Sequence, residues 1–125
     1  KQSNIHIHYE IDIKDWELGS LLGNLFENAI AGCQDLPKSQ RQIQFRSYVK
    51  NNHLIIIIEN PLLIPLQMQN NIYLSTKHKG YGLGIQSIQN IVHSLKGDIT
   101  IVDKPPLFQI KIIIWEVKKV KSKDM

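Results

Sequence analysis

The chain has 125 residues, 42% of them hydrophobic, with a formal net charge of +4 and one cysteine, Cys33. That length supports a single domain burying roughly two thirds of its unfolded surface. One cysteine excludes an internal disulfide, the longest apolar runs (54–58 and 112–115) are far too short to span a bilayer, and no signal peptide, repeat or low-complexity tract is visible. The five histidines show no metal-ligand spacing. Much of the positive charge collects in 118–123, which reads as a basic C-terminal tail, 118–125, behind a domain spanning 1–117. The tail has no interleaved aromatics, so no nucleic-acid partner is expected. Lys1 stands first rather than Met, so the chain is expected to be a piece of something longer, and monomeric as a fragment.

From Ile5 to Ile13 apolar and polar residues alternate, which predicts a half-buried strand. A helix is expected over 16–36, with Asp15 as its N-cap and Pro37 just beyond its end. Leu18, Leu22, Leu25, Ala29 and Cys33 recur at spacings of three and four and form one apolar stripe. Ser20, Asn24, Glu27, Asn28 and Ala31 share the other face. A solvated face normally takes Lys, Glu and Arg, and Asn is a mediocre helix former. Two carboxamides one turn apart therefore predict a polar face turned towards a pocket. A carboxamide oxygen is a hard, neutral ligand that suits Mg2+, and the amide nitrogen can donate to a phosphate oxygen.

Residues 42–49 alternate again, 50–53 read as an Asn-rich turn, and 54–59 are nearly all isoleucine. Together they predict an antiparallel hairpin. Pro61 and Pro65 then break the pattern, and 60–81 reads as a long loop, the kind that often serves as a lid. A helix is expected from Gly84 to Leu95, buried through Ile85, Ile88, Ile91, Val92 and Leu95 and stopped by Gly97. Two strands, 98–102 and 107–117, follow around a Pro105–Pro106 turn. The order of elements predicts an α+β two-layer sandwich, with helices over one face of a mixed, largely antiparallel sheet. A ferredoxin-like fold is the main competitor and does not account for the long loop.

The segment 75–85 combines Lys77 and Lys79 with Gly80, Gly82 and Gly84 at the start of a helix. Glycine lets backbone N–H groups approach an anion, and a helix N-terminus adds free donors and a positive dipole end. This is the chemistry of a polyphosphate cradle, although it is neither a Walker loop nor a dinucleotide fingerprint.

Taken together, Leu22-Gly23-Asn24-Leu25-Phe26-Glu27-Asn28-Ala29-Ile30 resembles the N box, and Gly80-Tyr81-Gly82-Leu83-Gly84 the second glycine box, of the GHKL (Bergerat-fold) ATP-binding domain of sensor histidine kinases. Ser75-Thr76-Lys77 is similar to the branch that answers peptide quorum signals. The resemblance implies that Asn28 ligands Mg2+, that Asn24 helps hold phosphates, and that the glycines Gly80, Gly82 and Gly84 shape the ATP lid, 60–81; Lys77 and Lys79 join them as cofactor-binding candidates through their charge. It also implies transfer of the ATP γ-phosphoryl to a histidine on a separate helical dimerisation domain, with a response regulator downstream. The fragment would then be the cytoplasmic part of a membrane-bound receptor, tied to the membrane only through segments of the parent. Asn24 and Glu27 are the candidate catalytic residues. In related topoisomerases and chaperones a Glu one turn before the metal Asn activates water. Here that place holds Asn24, which cannot act as a base, and Glu27 is displaced around the helix.

The family's first glycine box is missing. Asn60 stands where the adenine-binding Asp would be, followed by Pro61-Leu62-Leu63-Ile64-Pro65 with no glycine. Two alternative readings follow: a degenerate GHKL interaction module that does not bind nucleotide, and an anti-sigma-factor-like serine kinase of the same fold.

Overall fold

In a computed structural model, residues 8–11, 13–34, 36–63, 68–69, 72–73, 81–116 and 118–121 are described. The central sheet has four strands, β2 (Gln44–Lys50), β3 (His53–Pro61), β6 (Asp98–Lys104) and β7 (Leu107–Ile114), in the order β2-β3-β7-β6. Every pairing described is antiparallel. Helices α1 (Asp15–Cys33) and α2 (Tyr81–Ser94) lie side by side, α1 against β3 and α2 against β6. The result is the expected two-layer α+β sandwich.

The hairpin β2–β3 closes at Asn51 and Asn52, both with positive φ (53° and 66°). That is the geometry whose twist matches the flanking strands, and Asn tolerates it. Because side chains alternate along a strand, register decides which isoleucines are covered. Leu54, Ile56 and Ile58 face the helices beside Ile114, Ile112 and Ile110, and all six are buried. Phe108 and Leu21, Leu25, Ile85 and Ile88 of the helices complete the core.

Several boundaries differ from those expected. Lys14, not Asp15, caps α1, with Glu17 reaching back to accept from the Lys14 backbone N–H at 3.2 Å. Helix α2 begins at Tyr81, three residues before Gly84. Strand β3 runs through Pro61, where loop was expected. Pro61 pairs with Leu107 at the strand's last position, where its missing donor is tolerated, and the next N–H, of Leu62, donates to Pro106 O at 2.8 Å. At the end of α2, Lys96 takes the positive φ (59°), and Gly97 N–H donates to Val92 O. Gly97 is needed for a different reason: a Cβ there would lie 2.7 Å from the Ile113 carbonyl oxygen. Within 60–81, the short strands β4 (Met68–Gln69) and β5 (Ile72–Tyr73) pair, and β5 lies beside α2. Residues 118–121 of the predicted tail form strand β8 (Lys118–Lys121), which pairs with β1 (His8–Ile11). No described helix is long and apolar enough to cross a membrane.

Candidate functional site

The predicted polar face of α1 grades from water into protein. Ser20 and Glu27 are exposed, Asn24 and Ala31 are half-buried, and Asn28 is only 3% exposed. Asn24 Nδ2 donates to the Ser20 carbonyl at 2.8 Å, so in this structure its donor serves its own helix. Asn28 differs. Its Oδ1 is buried and has no hydrogen-bond partner among the described residues. A buried acceptor left in that state costs about 1–3 kcal/mol. Such groups are rare in folded proteins, and a missing ligand is one physical explanation.

The neighbour across from Asn28 is the first turn of α2. A Cβ built on Gly84 would lie 3.7 Å from Asn28 Oδ1 and 3.8 Å from Asn28 Cβ. Glycine at 84 thus leaves one side of the orphaned oxygen clear of side chain, next to the N-terminal turn of a fourteen-residue helix. Asn28 and Gly84, 56 positions apart in the sequence, meet at this contact. Gly82 lies in the same helical turn. Lys77, Lys79 and Gly80 lie outside the described residues.

Asn60 is the second buried asparagine, also 3% exposed. It sits near the end of β3 on the helix-facing side, opposite Phe108. Its Nδ2 donates to the Pro61 carbonyl at 2.9 Å, which fixes the orientation of the amide: the reverse would set two carbonyl oxygens together. Asn60 therefore turns its oxygen away from Pro61.

Sequence reasoning passed over Asp103. Register aligns it with Phe108 and Asn60 across β6, β7 and β3, on the helix-facing side, and it is half-buried. The signal was available, since Ile99, Ile101 and Asp103 alternate on one face.

A neutral, hard carboxamide oxygen beside a glycine turn fits a Mg2+ ligand and a polyphosphate neighbour. Among the described residues no group of three or more His, Cys, Asp or Glu could hold a metal.

The family model for the GHKL domain matches residues 13–115. The chain belongs to the GHKL domain family. The match covers α1, α2 and the whole four-stranded sheet of this GHKL domain. Among solved structures, the chain is similar to the Acinetobacter baumannii histidine kinase AdeS, with 15% identity over 88% of this chain and 68% of that one, at a TM-score of 0.42. Nothing about activity follows from a likeness of that size. No curated protein matches the sequence.

Proposed function

We propose that this GHKL domain binds ATP with Mg2+ and acts as the catalytic domain of a sensor histidine kinase. In this reading it passes the γ-phosphoryl to a histidine on a separate dimerisation domain, with a response regulator downstream, on the cytoplasmic side of a receptor. The observation that carries the reading is the buried, unpartnered Asn28 oxygen set against Gly84. Asn28 would hold the cation, and the first turn of α2 would offer N–H groups to the phosphates. Bound Mg2+ supplies neutralisation of polyphosphate charge. Asn24 shares that helix face but offers no base, so the reading includes slow hydrolysis by the domain alone.

One observation favours a second reading, a GHKL module without nucleotide. Where the family's first glycine box would give a pliable turn, β3 continues through Pro61 and is pinned by Leu62 to Pro106. Calorimetry separates the two readings. Mg2+-dependent ATP binding by the native chain, lost in Asn28→Ala with the circular dichroism spectrum unchanged, is the expected result. Absence of ATP binding by the native chain, with or without Mg2+, would establish the second reading.

A further inference from the structure

The face of the sheet away from α1 and α2 is covered by no helix among the described residues. A solvated face should be polar, yet its centre is isoleucine. Tyr48, Ile55 and Ile113 stand side by side on β2, β3 and β7, and Asp98 of β6 completes the row. Asp98 Oδ2 accepts from Trp115 Nε1 at 3.0 Å, which holds the indole at the end of the row. Tyr48 is 43% exposed and Trp115 45%. The apolar part of the row thus crosses three strands, about 10 Å at the usual strand spacing, with Trp115 beside Asp98 at the fourth.

Cations flank the band on both sides. Arg46 and Lys111 lie one row away, about 7 Å along the strands, on either side of Ile57. Lys50 lies on the opposite flank, paired with His53. Two acids also stand on this face, both hydrogen-bonded and farther from Ile57: Asp98, at the β6 end of the row, accepts from Trp115, and Glu59 accepts from Gln109.

We propose that this outer face docks an amphipathic helix of a partner protein whose apolar stripe is bordered by Asp and Glu. A helix about 10 Å across, laid along the band, sets its apolar stripe on Tyr48, Ile55 and Ile113 and its borders over Arg46, Lys111 and Lys50. The other face of the same sheet already takes two helices. A second copy of this chain is the wrong occupant, because two such faces, each with three cations and two acids, would meet with like net charge. Single-stranded nucleic acid is also disfavoured. Its bases need open aromatic platforms, whereas the centre here is branched aliphatic and Trp115 makes a T-shaped contact with His53, ring centres 4.8 Å apart. The docked helix would lie across the sheet from Asn28 and leave that site open.

The test is selection from a displayed library of amphipathic helices, with Leu fixed on one stripe and the bordering positions drawn from Glu, Lys, Ser and Ala, against the 125-residue chain. The expected outcome is enrichment of Glu at the borders, binding that weakens with salt, and an affinity loss of at least tenfold for the Arg46→Gln/Lys111→Gln double variant. Gln keeps much of each stem over Ile57, and an unchanged melting temperature shows that the sheet is intact. The proposal is overturned if selection yields no binder, if the borders show no excess of Glu, or if the double variant binds as the native chain does. It is equally overturned if Arg46 and Lys111 are needed instead for self-association or for binding oligo(dT).

Discussion

The contact between Gly84 and Asn28 can be tested with one methyl group. In Gly84→Ala the new Cβ lies 3.7 Å from Asn28 Oδ1 and 3.8 Å from its Cβ, ordinary van der Waals distances, so α1 and α2 need not move apart. Gly84 lies inside α2 and does not have a positive φ, so alanine relieves the entropic penalty of a helical glycine, about 0.5–1 kcal/mol. For a domain of this size that raises Tm by roughly 2–4 °C. The same methyl puts an apolar group against an acceptor it cannot satisfy, on the side where a ligand would approach. Mg2+-dependent ATP affinity should therefore fall at least tenfold while stability rises. Calorimetry and thermal melts on both forms read the two effects separately. Unchanged ATP affinity in a stabilised variant would refute the placement of the ligand at this contact. A lower Tm would refute the helix–helix packing from which it was derived.

Gly97→Ala should act in the opposite direction on stability alone. Its Cβ would sit 2.7 Å from the Ile113 carbonyl, so the end of α2 must lift from β7, at a cost of about 1–3 kcal/mol, or roughly 4–12 °C in Tm, measured by thermal melts. Asn60→Asp should destabilise the domain by at least about 2 kcal/mol at pH 7, because a buried carboxylate oxygen would face the Pro61 carbonyl that Nδ2 now satisfies. Burial raises a carboxyl's folded pKa above its unfolded value, so stability falls as pH rises through that window; melts at pH 4 and pH 7 should show the gap to the native chain closing at the lower pH.

The site was more legible than the packing around it. The pairing of Asn24 and Asn28 on one helix face follows from a period of 3.6, and the glycines before Ile85 mark the first turn of α2. The buried side of α1 was misjudged by part of a turn. Leu21, fully buried, was left off the stripe, while Leu18 and Leu22 are only half-buried. The reason is that α1 packs against both β3 and α2, so it buries a wider arc than one sheet would require, and Asn28 falls inside that arc. Strand β8 was unreadable locally because its partner, β1, lies at the other end of the chain. The isoleucines of β3 were read as a strand covered on both sides or placed centrally. The strand is central, and Ile57, although it faces outward, is 7% exposed between Arg46 and Lys111, whose stems can shield it.

The two buried asparagines divide the demands made on this fold. Asn60 satisfies its donor within the chain, against Pro61, and helps fix the end of β3. Asn28 leaves its acceptor unsatisfied at the junction of α1 and α2. A carboxylate at that position would place a full charge where only 3% of the residue meets solvent, and without a cation it would have to be neutralised or would open the helix pair. A carboxamide avoids this, because its unpartnered oxygen costs one hydrogen bond rather than one buried charge. The same neutrality would make Asn28 a weak cation ligand by itself. In the proposed reading, a site built on Asn28 would gain its strength from the charge of the anion that arrives with the metal, so metal and polyphosphate would bind together and leave together.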